Sequence, residues 1–169
     1  MKGRAEEVAE RMTGLLARSA ARGIAGGLDR PSLPEAIGHL EQAEKEGCPE
    51  GFAKGRRSFY RSLLKLSGSA ELARLFPSMQ MTIVYAQHDI TTLQALRLRD
   101  YRAIAKAILA GDVEAADTMG AAHVRNVRNV RNEVLKKVGV NQNSMVLSRY
   151  SAELATSQAK PSQAKERRC

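Results

Sequence analysis

Apolar residues recur every three or four positions through most of this 169-residue chain. No stretch long enough to form a strand alternates apolar with polar residues. Spacing of three to four places apolar side chains on one face of a helix, whereas a half-buried strand needs alternation. Hydrophobic residues make up 43% of the chain but aromatic residues only 4%, and Trp is absent. The core must therefore consist mainly of Leu, Ala, Val, Ile and Met, a composition that favours helices over strands. The sequence predicts an all-α fold.

Glycine and proline residues divide this pattern into separate helices, because both disfavour the interior of a helix. Three side chains are well placed to cap helices at their N-termini: Ser32 before the second helix, Ser69 before Ala70, and Asp112 before the last helix. We expect the last helix to end near Gly139. The other predicted helices span residues 5–24, 32–46, 52–66, 78–98 and 99–109, with a short one beginning at Ala70.

The length of the chain suggests one domain with tails. We assign residues 1–11 to the start of a helix or a linker remnant, 12–139 to the helical domain, and 140–169 to a polar, basic tail that is disordered in large part. The sequence contains no apolar run of membrane-spanning length and no signal peptide, so we expect a cytoplasmic protein without membrane contact. We expect Cys48 and Cys169 to be free thiols, since their spacing fits no zinc module.

The formal net charge of +9 raises the possibility of a nucleic-acid partner. Much of this charge lies in the tail and in the repeat VRN-VRN-VRN at residues 124–132. On a helix, the valines of this repeat form one slanting stripe and the arginines an adjacent one. The arginine stripe could meet phosphates or an acidic partner. Alternatively, it is the exposed side of a helix that packs through its valines, and we favour this second interpretation.

Two segments are similar to the signatures of the C-terminal effector domain of FadR-type GntR transcription regulators, the FCD domain. They are RRSFYRSLLKLSGSAELARLFP, at residues 56–77, and RDYRAIAKAILAGDVEAADTMGAAHV, at residues 99–124. The resemblance covers about Met12 to Val134. It implies an antiparallel bundle of six to seven helices around a central polar cavity, which in many members holds a divalent metal through one Asp and three His residues. It also implies a homodimer that senses a small-molecule effector.

Three of the four metal-ligand positions of the family differ in this chain. Arg56 stands at the Asp position, Tyr60 at the first His position and Tyr101, preceded by Asp100, at the second, so that only His123 is retained. Divalent metals need several nitrogen or oxygen donors and negative charge, whereas Arg56 adds positive charge. We therefore predict that the metal site is degenerate and that no metal or other cofactor is bound.

The same substitutions suggest a metal-free pocket for an anion. Arg56 and Tyr60 lie four residues apart on one helical face, and the resemblance brings Tyr101 and His123 to the same cavity. An arginine can hold a carboxylate or phosphate directly through paired hydrogen bonds. In the alternative arrangement, Arg56 points to solvent beside Arg57 and both tyrosines fill the former cavity as core residues.

Two further residues, Tyr85 and His88, lie with Thr92 on one face of the predicted middle helix and could form another wall of this cavity. An interior or interface position for His88 is the alternative. We expect His39 to lie on the surface.

No catalytic motif is present, so we do not expect an enzyme. A winged helix needs about 60–70 residues before the effector domain, and fewer than fifteen precede the matched region here. We therefore expect DNA contact only through a module that this chain lacks. The alternative function is a standalone helical interaction protein that binds nucleic acid or an acidic partner through its basic last helix and tail.

Overall fold

The computed structural model describes residues 2–27, 32–76 and 92–137, and every regular element in these ranges is a helix. The prediction of an all-α fold is confirmed. The six helices are α1 (Lys2–Ala25), α2 (Ser32–Lys45), α3 (Pro49–Ser67), α4 (70–76, as far as it lies in the described ranges), α5 (Thr92–Leu109) and α6 (Val113–Lys137).

Helix α1 lies inside the bundle, packed against α3, α5 and α6, while α2 packs against α3 and α5. Short connections join α2 to α3 and α5 to α6, so each of these two pairs is an antiparallel hairpin. The buried core is built mainly from leucine, isoleucine and alanine, as the composition predicts. None of the helices in the described ranges is both long and apolar enough to cross a membrane.

Two of the three predicted N-caps are confirmed, whereas Ser32 is itself the first residue of α2. The Ser69 hydroxyl accepts a hydrogen bond from the Leu72 amide at 3.2 Å. The Asp112 carboxylate accepts one from the Ala115 amide at 3.0 Å. These side chains satisfy amide groups that the first turn of a helix leaves without partners, and so fix where α4 and α6 begin.

Two predicted helix boundaries are wrong. Helix α3 begins at Pro49 rather than at residue 52, because the Cys48 sulfur caps it by accepting a hydrogen bond from the Gly51 amide at 3.2 Å. Helix α5 runs without a break through Leu98 and Arg99, where we expected two helices to meet. Neither a glycine nor a proline stands at that junction, so nothing in the local sequence interrupts the helix.

The prediction that Cys48 is a free thiol is also wrong, because Cys48 is disulfide-bonded in the structure. Cys169 and the rest of the predicted tail lie outside the described residues.

Helices α1 and α6 approach each other closely. Three residues of α1, Leu16, Ala17 and Ala20, are completely buried. A Cβ atom added at Gly120 of α6 would lie 2.8 Å from the Thr13 carbonyl oxygen and 3.1 Å from the Gly14 Cα atom. Only glycine lets the two backbones come this close. Leu15 is 43% exposed and lies on the outer side of α1.

We predict that Gly120→Ala destabilises the protein by about 1–3 kcal/mol, because the added methyl group meets backbone atoms that cannot move independently of α1. Gly38→Ala is the matched control, since no atom lies within 4 Å of the added Cβ atom in the middle of α2. This control should gain about 0.5–1 kcal/mol from its better helix propensity. Urea unfolding of both variants checks the pair, and equal effects would contradict the close packing.

Candidate functional site

Three helices bring the four predicted binding residues together. Helix α3 supplies Arg56 and Tyr60 from adjacent turns, α5 supplies Tyr101, and α6 supplies His123. The Tyr60 and Tyr101 rings meet edge to face with centroids 6.0 Å apart, and the Tyr101 and His123 rings lie 4.7 Å apart. We call these four residues the polar site.

The two tyrosines form part of an aromatic cluster in the core. Tyr101 packs on Phe59 at 4.5 Å between ring centroids, and Tyr60 packs on Phe76 at 5.3 Å. Tyr60 and Tyr101 are only 6% and 1% exposed. This burial agrees with one element of the alternative interpretation, in which the tyrosines occupy the core.

The phenol groups of the polar site are neutral. Burial raises the pKa of Tyr60 well above its ordinary value of 10.0, despite the opposing positive charge of Arg56. Burial also raises the pKa of Tyr101. Each hydroxyl can donate one hydrogen bond and can also accept hydrogen bonds.

The charge of Arg56 acts on the side chains of this cluster. Arg56 is half-buried, while the adjacent Arg57 is exposed. The positive charge of Arg56 acts to lower the pKa of both tyrosines and of His123, an effect that requires proximity to all three. Arg56 therefore lies close enough to the two phenols and the imidazole to act on all three.

A second arginine, which the sequence analysis did not identify, lies at the same site. Arg97 of α5 is 2% exposed, and its charge also acts on the pKa of Tyr60, Tyr101 and His123. Arginine is seldom buried this completely in proteins. The signal in the sequence was its position four residues before Tyr101, on the same face of the helix.

His123 is held by a carboxylate on the neighbouring helix. Its Nδ1 atom lies 3.2 Å from Asp100 Oδ2, and the side-chain amide of Asn126 donates to the same oxygen at 3.1 Å. The Arg99 guanidinium donates to Asp100 Oδ1 at 2.9 and 3.1 Å. Asp100 was noted only as a departure from the family pattern, and its pairing with His123 was not predicted.

The protonation states of this pair follow from its surroundings. Burial acts to raise the pKa of Asp100, but hydrogen bonds from His123, Arg99 and Asn126 outweigh it and leave the pKa lowered. Burial lowers the pKa of His123, although Asp100 opposes this effect. At neutral pH the pair is therefore a carboxylate and a neutral imidazole, and Nδ1 is the ring nitrogen that donates.

The polar site does not fit a divalent metal ion. No group of three or more His, Cys, Asp or Glu side chains with the potential to hold a metal occurs among residues 2–27, 32–76 and 92–137. Arg56 and Arg97 add positive charge, and phenols with raised pKa values are poor metal ligands. His123 alone supplies a donor of the kind that such a site needs.

The arginines of the VRN repeat pair with glutamates of α1. The nearest N–O distances are 3.1 Å for Arg125–Glu10, 2.7 Å for Arg128–Glu10 and 2.9 Å for Arg131–Glu6. Val124 and Val127 are 7% and 1% exposed, so the helix does pack through these valines, as we expected. The expectation that the arginines form its exposed side is wrong for Arg128 and Arg131, because their contacts with α1 leave both half-buried. The stripe meets an acidic surface of its own chain. We call these five charged residues the arginine–glutamate ladder.

The remaining histidine and tyrosine assignments are resolved in part. His39 is exposed on α2, as predicted. Tyr85 and His88 lie outside the described residues, so their assignment to the cavity wall stays a prediction.

We predict that acid destabilises the protein through His123. Because the folded pKa of His123 is below its ordinary value of 6.5, the unfolded state takes up a proton first as the pH falls. Stability from this group is full above about pH 6.5 and is lost as the pH falls through the lower folded pKa. The lowered pKa of Asp100, ordinarily 3.8, acts only at lower pH.

Urea unfolding at about pH 7.5 and about pH 5.5 measures this loss. His123→Gln should lose less stability than the natural protein between these two pH values, because the titrating group is gone. His39→Gln, at an exposed position on α2, is the matched control and should behave like the natural protein. An unchanged pH dependence in His123→Gln would rule out the assignment.

The comparisons with known proteins agree with this architecture. The family model described as the FCD domain matches residues 6–126, more than two thirds of the chain. No curated protein matches the sequence. The matched segment contains all four residues of the polar site and most of α1 and α6. The chain therefore belongs to the FCD-domain family, the C-terminal effector-binding domains of GntR/FadR-type regulators.

Proposed function

We propose that this FCD domain senses a small organic anion, such as a carboxylate, and that it does so without a metal. Arg56, Tyr60, Tyr101 and His123 bind the anion, and Arg97 contributes a second guanidinium. The effector-binding role follows from membership of the family, whereas the class of ligand and the independence from metal are our proposal.

The observation that carries the proposal is the charge that replaces the metal. Arg56 and Arg97 place positive charge beside two neutral phenols and a neutral imidazole. A buried or half-buried guanidinium binds a carboxylate through strong, charge-assisted hydrogen bonds. The phenol hydroxyls would add neutral donors to the same anion. This set of donors can hold an anion directly, without a bridging cation.

The proposal extends to assembly. We propose that the domain is a homodimer, as regulators of this family typically are.

We also propose that it has no enzymatic role, because the polar site contains no nucleophile activated by a base. His123 hydrogen bonds to a carboxylate rather than to a serine, threonine or cysteine.

The alternative function, binding of nucleic acid through the basic last helix, receives less support. Three of its arginines are engaged in the arginine–glutamate ladder with α1. Phosphate binding by these side chains would require them to leave or share those contacts. Tail residues that could add to such a surface lie outside the described residues.

We predict that Arg56→Ala removes stabilisation by small carboxylates, because a charge-assisted hydrogen bond to an anion contributes about 1.5–3 kcal/mol. That loss corresponds to an affinity about 10- to 100-fold weaker. Arg57→Ala is a closely matched control, since it removes the same charge from the next, exposed position of α3. Thermal unfolding with a panel of organic acids, at a saturating concentration for the natural protein, measures both variants.

The proposal is contradicted if Arg56→Ala and Arg57→Ala respond to the acids alike. Salt-dependent binding of random duplex DNA that is lost on replacing Arg125, Arg128 and Arg131 with Ala would favour the alternative function instead.

A further inference from the structure

The groups of the polar site differ in the hydrogen bonds that they can make with a ligand. Arg56 and Arg97 can only donate, whereas the hydroxyls of Tyr60 and Tyr101 can donate and accept. Asp100 is an acceptor, but three donors already occupy its two oxygens. The role of His123 depends on its tautomer, because its second ring nitrogen either donates or accepts.

The hydrogen bond to Asp100 decides which nitrogen of His123 carries the hydrogen. A neutral imidazole has one N–H group and one nitrogen lone pair. The Asp100 carboxylate can only accept, so Nδ1 at 3.2 Å from it must donate. The hydrogen therefore lies on Nδ1, and Nε2 has the lone pair.

Asp100 is itself held rigidly enough to impose this tautomer. Asn126, on the same helix as His123, donates to Oδ2, and Arg99 donates twice to Oδ1. Asp100 and His123 are 8% and 2% exposed, so water competes little for their hydrogen bond. The carboxylate and imidazole therefore form one unit in which Nε2 carries the lone pair.

We propose that Asp100 is the positioning residue that presents His123 Nε2 as a hydrogen-bond acceptor, and that the effector is therefore an anion that also carries a hydrogen-bond donor. This inference rests on the proposed function. The guanidinium groups bind the anionic end, and the Nε2 lone pair receives a hydroxyl or amine hydrogen from the same molecule. An anion without such a donor would leave Nε2 desolvated and unpaired, which is a cost to binding.

The tautomer can be measured without any ligand. Long-range ¹H–¹⁵N correlation of the histidine rings separates the protonated nitrogen from the one with a lone pair, and His123→Gln assigns the signal. We expect protonated Nδ1 and unprotonated Nε2 in the natural protein at neutral pH. Protonation at Nε2, or at both nitrogens, would overturn the positioning role even if every variant failed to fold.

Asp100→Asn provides the second comparison. Its amide can donate to Nδ1, so we expect the hydrogen of His123 to move wholly or partly to Nε2. If Asp100 served only to stabilise the fold, replacing it would not change the tautomer of His123. Asp112→Asn is the matched control: it removes the same charge, and Asn caps a helix as well as Asp does. An unchanged tautomer in Asp100→Asn would also overturn the proposal.

The class of effector is tested with two acids that differ in one hydrogen-bond donor, 3-hydroxybutanoate and 3-oxobutanoate. In thermal unfolding of the natural protein, we expect the hydroxy acid to bind about tenfold more tightly, a difference of about 1.4 kcal/mol. Asp100→Asn should remove most of this preference, while Asp112→Asn keeps it. The assignment of effector class would be overturned if the two acids stabilised the protein equally, or if neither stabilised it.

Failure of this inference differs from failure of the proposed function. If the protein does not prefer the hydroxy acid but Arg56→Ala still weakens carboxylate binding, the anion site stands and only the effector class is wrong. If Arg56→Ala binds carboxylates as the natural protein does but His123 has the expected tautomer, the proposed anion site is wrong. Only the positioning of His123 by Asp100 then stands.

Discussion

Helices α1 and α6 cross so closely at Gly14 and Gly120 that no side chain fits between their backbones. This contact fixes the position of α6 relative to the interior of the bundle, and α6 holds both His123 and the arginines of the arginine–glutamate ladder. The ladder continues the same interface towards the N-terminus of α1, where Glu6 and Glu10 lie. The placement of His123 against α5 therefore depends on a packing constraint elsewhere on the same helix.

The polar site shows how a bundle can keep a buried polar group of residues after changing its chemistry. Where metal-binding members of the family use carboxylate and imidazole ligands, this chain combines guanidinium, phenol and one imidazole. A guanidinium can bind a carboxylate or phosphate directly through charge-assisted hydrogen bonds, and this chemistry is the basis of the proposed sensing role.

Local features of the sequence predict much of the fold. Features that depend only on neighbours within a few residues can be identified from residue type and spacing. They include the all-α class, the helix caps at Ser69 and Asp112, and the helical face that Arg56 and Tyr60 share. The Cys48 cap was missed because a cysteine is an unusual N-cap, and the break expected at Leu98 had no glycine or proline to cause it. Contacts between distant segments could not be predicted in this way. Asp100 meets His123 only because helix packing brings together residues far apart in sequence, and the burial of Arg97 depends on which face of α5 points inwards.

The central proposal is that the domain binds an anion through its own side chains rather than through a metal. The most direct measurement is a calorimetric titration of a stabilising carboxylate into protein treated with a strong chelator, repeated after Zn²⁺ or Mn²⁺ is added back. Metal-free binding predicts the same affinity in both conditions. Binding that is lost on chelation and restored by the metal would contradict it.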